Sequence, residues 1–146
     1  MPGILIATDA DFVNDEVVAA LAGSGTTIDR VRAGVDVLPA VVELDPDLVV
    51  LDLQIGNMGG MAVCIELRNE VGADRIDPVP ALMLLDRQAD VFLAQRCEAP
   101  GWLIKPLDGF RLRRAASALL GGGTYHEGVD QPDEPSDSPS GAAAPA

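Results

Sequence analysis

The chain has 146 residues, 48% of them hydrophobic, which is apolar content enough for one core of ordinary size. Its formal net charge of -13 argues against nucleic acid or an anionic membrane surface as a direct partner, since both are bound through clustered Lys and Arg. No charged leader with an apolar run and cleavage site opens the sequence and no segment could span a bilayer, so the expected location is cytoplasmic, without membrane insertion.

In chain order, "GILIA" (3–7) is the first predicted strand, and Val13, Val17, Ala20 and Leu21 then share one helical face. "TIDRV" (27–31) is the second strand. A helix capped by Asp36 puts Pro39 at its third position, whose N–H has no intrahelical partner to lose. "DLVVLD" (47–52) is the third strand, followed by a less regular helical pattern through Met61, Ile65 and Leu67. "PALMLL" (80–85) precedes a helix with Phe92 inward and Gln95 and Arg96 outward, and "GWLI" (101–104) precedes one with Leu112, Ala115, Ala116 and Leu119 on one face. Asp11, Asp36, Asp86 and Asp108 stand where N-cap carboxylates belong. Cys64 and Cys97 lack metal-ligand spacing and read as free, buried, apolar groups.

Beyond Leu120 the composition changes to "GGGTYHEGVDQPDEPSDSPSGAAAPA", with five acids and no Lys or Arg. Such a stretch cannot offset its ordering entropy by burial, so the expected organisation is a folded domain over 1–120 and a disordered acidic tail over 121–146. Apolar runs without alternation suit strands covered on both faces. Five β/α units with right-handed crossovers then give an α/β fold, a doubly wound five-stranded parallel sheet with helices on both faces.

Ligands of such sheets bind outside the carboxyl ends of the strands, where strand order reverses. In the flavodoxin-like order 2-1-3-4-5 the first and third strands flank that point, which brings Asp9 and Asp52 together. Lys105, the only lysine in the chain, sits beside them at the end of the fifth strand. Two carboxylates and an ammonium suit a magnesium ion and a phosphoryl group: the cation takes oxygen ligands, and a carboxylate can serve as nucleophile.

With those residues in view, residues 3–120 resemble the receiver domain of bacterial two-component response regulators. "PDLVVLDLQIGNMGGM" resembles the segment around that family's phosphoacceptor aspartate, and "WLIKPLD" its lysine-proline segment. The resemblance implies that Asp52 accepts the phosphoryl group and Lys105 binds it. It further implies that Asp9, Asp52 and the carbonyl of Gln54 hold magnesium, that the Lys105 to Pro106 bond is cis, and that a sensor histidine kinase or another phosphodonor supplies the group. Leu85 and Trp102 fall at the switch positions, and Arg111, Arg113 and Arg114 on the face where partners dock.

This chain departs from the family at several of these places. Thr8 replaces one of two adjacent acids, which weakens a metal site by one charge. Leu85 replaces a hydroxyl residue whose hydrogen bond to a charged group is worth about 1.5–3 kcal/mol. Asp86 adds a negative charge there unless it turns away as a cap, Gly56 replaces a common proline, and Trp102 is a larger switch aromatic that could instead be a fixed surface anchor. With no output domain after Leu120, the expected function is a stand-alone receiver in a phosphorelay that acts by docking on protein and is not an enzyme. One alternative is a pseudo-receiver that binds its partner constitutively. Another is a haloacid-dehalogenase-like phosphatase, because "DADFV" resembles that family's motif with Asp9 as nucleophile and Asp11 as general acid. The position of Lys105 after Asp86 and Asp90 contradicts that family's order.

Overall fold

The computed structural model describes residues 2–128. Six parallel strands form one sheet: β1 (Gly3–Ala7), β2 (Thr27–Val31), β3 (Leu48–Asp52), β4 (Ala81–Leu85), β5 (Gly101–Ile104) and β6 (Tyr125–His126), in the order β2-β1-β3-β4-β5-β6. The five expected strands and their order are present. The sixth strand was not expected. It lies within the segment read as disordered tail, so the chain remains ordered past Gly121, and residues 129–146 of that expected tail lie outside the described residues.

Five helices cover the sheet: α1 (Asp11–Leu21), α2 (Val37–Leu44), α3 (Gly60–Gly72), α4 (Val91–Arg96) and α5 (Gly109–Leu120). Strand alternation divides the core. Ile4, Ile6, Leu48, Val50, Leu82, Leu84 and Leu103 face α1 and α5 and meet Val13, Val17, Leu112 and Leu119. Leu5, Ala7, Val49, Leu51, Met83, Leu85 and Trp102 face α2, α3 and α4. Burial of a Leu or Val side chain contributes about 1.5–3 kcal/mol, so β3 and β4, buried along their whole length, are the most strongly held strands. β2 is an edge strand and stays partly exposed, with Ile28 toward one layer and Val31 toward the other.

Two helical faces differ from the sequence reading. In α4 the inward residues are Val91 and Ala94, while Phe92 is 58% exposed under the Arg96 guanidinium. The helix is reached through a short 3-10 turn, Gln88–Asp90, which sets Val91 rather than Phe92 against the sheet. In α3 the stripe is Gly60, Val63, Cys64 and Leu67, with Met61 and Ile65 at its margin. Both cysteines are buried and unpaired.

Of the four expected caps, only Asp108 accepts a backbone N–H, from Arg111 at 2.9 Å. Asp36 ends a 3-10 turn and caps nothing with its side chain, although Pro39 does occupy the third residue of α2. Asp11 lies inside α1 and binds Arg30 and Arg32 instead. Asp86 is drawn to Lys105. A charged tertiary partner outweighs a local cap in these last two cases, because hydrogen bonds between ionised groups are the stronger kind.

The loop between β3 and α3 is held against the turn at 34–36. Gly34 N donates to Gly56 O and Val35 N to Asn57 O, both at 2.9 Å. A Cβ on Gly34 would stand 1.7 Å from Met58 O, and one on Gly60 would stand 2.8 Å from Asp52 O, so both contacts need glycine. This stitching fixes the backbone just after Asp52.

Candidate functional site

The alternation that divides the core also builds the site. One residue beyond the end of each apolar row facing α1 and α5 come Thr8 after Ile6, Asp52 after Val50, Asp86 after Leu84 and Lys105 after Leu103. Side chains two apart share a face, so four polar groups from four strands arrive on one rim.

Asp52 is at the centre and only 2% exposed. Its Oδ1 accepts from Lys105 Nζ at 2.9 Å and from Gln54 N at 3.1 Å, and its Oδ2 accepts from Thr8 Oγ1 at 2.7 Å. Three of the roughly four lone-pair sites of the carboxylate are therefore filled. Lys105 divides its charge, because Nζ also lies 2.8 Å from Asp86 Oδ1. Burial alone would lower the lysine pKa, but the hydrogen bonds and charges of Asp86 and Asp52 together outweigh it and hold the ammonium above the ordinary value of 10.5. The following Lys105 to Pro106 bond is cis.

Asp9 is exposed and points toward the β3–α3 loop, where its Oδ2 accepts from Gly56 N at 3.0 Å. Glycine in place of proline at position 56 supplies that N–H, which proline lacks. Asp9, Asp52 and the Gln54 carbonyl offer oxygen donors only, the chemistry a hard divalent cation takes, and two carboxylates with water suffice for magnesium. No group of three or more His, Cys, Asp or Glu side chains with metal-binding proximity occurs among the described residues, in keeping with threonine at position 8. The donor set thus fits magnesium with one carboxylate fewer than an acid at position 8 would give.

Thr8 enters the sequence reading only as a missing acid. Here it is a fully buried donor to Asp52, and its oxygen also accepts from Ala10 N at 3.1 Å. Thr8→Val keeps the shape but strands both partners. It is expected to lower unfolding free energy by about 2 kcal/mol, seen as a fall in the urea midpoint without a change in slope.

The remaining expected site residues separate. Leu85 is fully buried on the opposite face of the sheet, in the layer that holds Trp102, and brings no hydrogen-bond donor. Trp102 is not a surface anchor. It is 3% exposed, stacked on His126 with ring centroids 4.1 Å apart, and its Nε1 donates to Glu127 O at 2.7 Å. Arg111 does not form an open basic patch with Arg113 and Arg114. Its guanidinium is spent on Glu127, Asp108 and the carbonyls of Ile104 and Pro106, whereas Arg113 and Arg114 remain exposed and Arg114 lies over Phe110. Asp11, the general acid of the phosphatase alternative, is held by Arg30 first and then Arg32 below the usual carboxylate range, the wrong direction for a proton donor near neutrality.

Residues 4–117 match the family model described as response regulator receiver domain. The transcriptional regulatory protein AfsQ1 of Streptomyces coelicolor is 29% identical over 82% of this chain and 52% of its own length. The DNA-binding response regulator MtrA of Mycobacterium tuberculosis is 34% identical over 70% of this chain and 43% of its own. The chain thus spans about half the length of these relatives. Among solved structures, the signal receiver domain of a histidine kinase from Syntrophus aciditrophicus superposes with a TM-score of 0.73 at 25% identity, covering 84% of this chain and 92% of that one. The chemotaxis response regulator CheY4 of Vibrio cholerae has a TM-score of 0.70 at 20% identity, covering 80% and 97%, a likeness of fold.

Proposed function

The chain belongs to the response regulator receiver domain family, and from that premise we infer that it accepts a phosphoryl group on Asp52 from a sensor histidine kinase or other phosphodonor and passes the signal on by docking to protein in the cytoplasm. The observation that carries this reading is the sole ammonium of the chain, held 2.9 Å from a carboxylate that is almost wholly buried. A structural ion pair alone gives little reason to bury the acid at the sheet's ligand-binding rim.

In the reaction, a carboxylate oxygen of Asp52 attacks the phosphorus of the donor. An O–P bond forms as the bond to the donor's leaving group breaks, and the electron pair departs with that group. Lys105 moves its ammonium from the carboxylate to the phosphoryl oxygens, and Thr8 must release Oδ2 or turn with it. Asp9, Asp52 and the Gln54 carbonyl would hold magnesium, whose contribution is to neutralise charge on the phosphoryl oxygens. No helix among the described residues is long and apolar enough to cross a membrane. The charge of -13 favours a protein over a phosphate backbone as target.

One set of contacts favours the second reading, a pseudo-receiver that docks without phosphorylation. Asp86 already claims Lys105, Leu85 offers no hydroxyl, and Trp102 is pinned beneath His126. The two readings separate in the emission of Trp102, the only tryptophan, as the full chain is given magnesium and then beryllofluoride. Phosphoryl acceptance predicts a magnesium response and a further beryllofluoride response that is lost in Asp52→Asn. A magnesium response alone supports the pseudo-receiver. Silence to both, with a folded circular-dichroism spectrum, removes the phosphoryl reading.

A further inference from the structure

The stretch after α5 contains a triglycine, Gly121–Gly123, with Gly122 at φ +87, and then turns back along the sheet. A strand of two residues has too short a ladder to persist unaided. β6 pairs Gly101 with Tyr125 and Trp102 with His126, and Tyr125 N donates to Pro100 O at 3.1 Å. Side chains then hold it at every step. The His126 imidazole stacks on the Trp102 indole at an interplanar angle of 14°. Glu127 receives Ile104 N at 3.0 Å and the Arg111 fork on both carboxylate oxygens, while its own carbonyl receives the indole N–H. The Gly128 carbonyl receives Gln88 Nε2, from the turn that follows β4. Gly128 has φ +71, and a Cβ there would stand 2.5 Å from Gln88 Oε1 and 2.7 Å from Ile104 Cδ1.

The site thus reads four features in a row: an extended backbone, a flat ring, a carboxylate and a glycine. We propose that the edge of β5, with Trp102, Arg111 and Gln88, is a binding site for an extended peptide of the pattern ring–carboxylate–glycine, and that residues 124–128 of this chain are its resident occupant. A partner protein carrying such a segment adds a strand to β5 only by displacing the resident one. Strand addition takes affinity from main-chain bonds and specificity from side-chain sites, and a bidentate arginine selects the carboxylate. When the segment leaves, β5 becomes an open sheet edge with an exposed indole, the sort of surface that folded proteins normally cover. The triglycine tether gives the resident segment an effective concentration on the order of millimolar, so an added peptide competes poorly until that segment is weakened. None of these contacts involves Asp52, and the inference stands apart from phosphorylation.

The test uses the full chain and a fluorescein-labelled synthetic peptide, GTYHEG, copied from residues 123–128. Fluorescence anisotropy is measured with the wild-type chain, Glu127→Ala and Gly128→Val. Glu127 lies outside both core layers, so Glu127→Ala decides the matter if Gly128→Val fails to fold. Both variants are expected to bind the peptide at least about tenfold more tightly than wild type, a gain of the size that loss of a tethered competitor allows. Their Trp102 emission is expected to be more accessible to acrylamide and to be shielded again by the peptide. A peptide with its Glu replaced by Ala is expected to bind at least about tenfold more weakly, since it gives up the Arg111 fork. Equal binding to wild type and Glu127→Ala, or equal binding of the two peptides, would overturn the proposal.

Discussion

Lys105→Met is expected to lower the unfolding free energy by about 3 kcal/mol at neutral pH, the low end of the range for breaking a buried ion pair from one side. Asp52 is 2% exposed and would lose the one full positive charge that faces it. The donors left to it, Thr8 Oγ1 and Gln54 N, are neutral, and they keep the loss from being larger. Methionine fills the volume of the lysine stem, which isolates the charge from the packing. The pH dependence has a definite sign. The Lys105 pKa is raised in the folded protein, so its contribution is complete below the ordinary value of 10.5 and is lost as pH rises past that value through the folded one. The gap between wild type and variant, followed by urea unfolding, should therefore stay level through neutral pH and narrow only in that alkaline range.

Asp52→Asn is expected to abolish phosphoryl uptake altogether while costing less stability than Lys105→Met, about 1 kcal/mol or less. The asymmetry follows from the geometry. When Asp52 loses its charge, Lys105 still has Asp86 at 2.8 Å and is 20% exposed, so the ammonium keeps both a partner and water. When Lys105 goes, Asp52 has no ionic partner and no solvent. An asparagine oxygen can still accept from Thr8, but an amide is no nucleophile toward phosphorus. A variant pair in which Asn costs as much as Met would mean that Asp86 does not share the lysine in solution.

The meeting of Asp52 and Lys105 was legible in the sequence because each ends an apolar run that could only be a buried strand, and strand ends are where such sheets gather polar groups. Thr8 and Asp86 follow strand ends in the same way. Both stand in phase with Asp52 and Lys105 on the α1 and α5 side of the sheet, which is a period-2 signal. The family resemblance masks it, because by that measure Thr8 is only a missing acid and Asp86 only a cap or a repulsive charge.

The segment from Thr124 to Gly128 was hidden by its neighbours. Glycines before it and a Pro, Ser and acid-rich stretch after it dilute the three residues, Tyr125, His126 and Glu127, that can pack or pair. Composition averaged over a tail does not register a short motif whose partners lie far off in sequence, Arg111 being 16 positions from Glu127 and Trp102 being 25 from it. Arg111 shows the same limit from the other side: on its helix it reads as part of a basic face, and only the return of the chain assigns it a carboxylate. Helix α4 departs from its sequence pattern for a local reason, since a 3-10 turn before Val91 rotates the whole face and leaves Phe92 in solvent.

The most direct measurement is to incubate the full chain with magnesium and acetyl phosphate, record its intact mass, and locate any added group by peptide fragmentation. One phosphoryl group per chain is expected, carried by the peptide containing Asp52 and absent from Asp52→Asn. A folded wild-type chain that takes up none, or that carries the group on another residue, would contradict it.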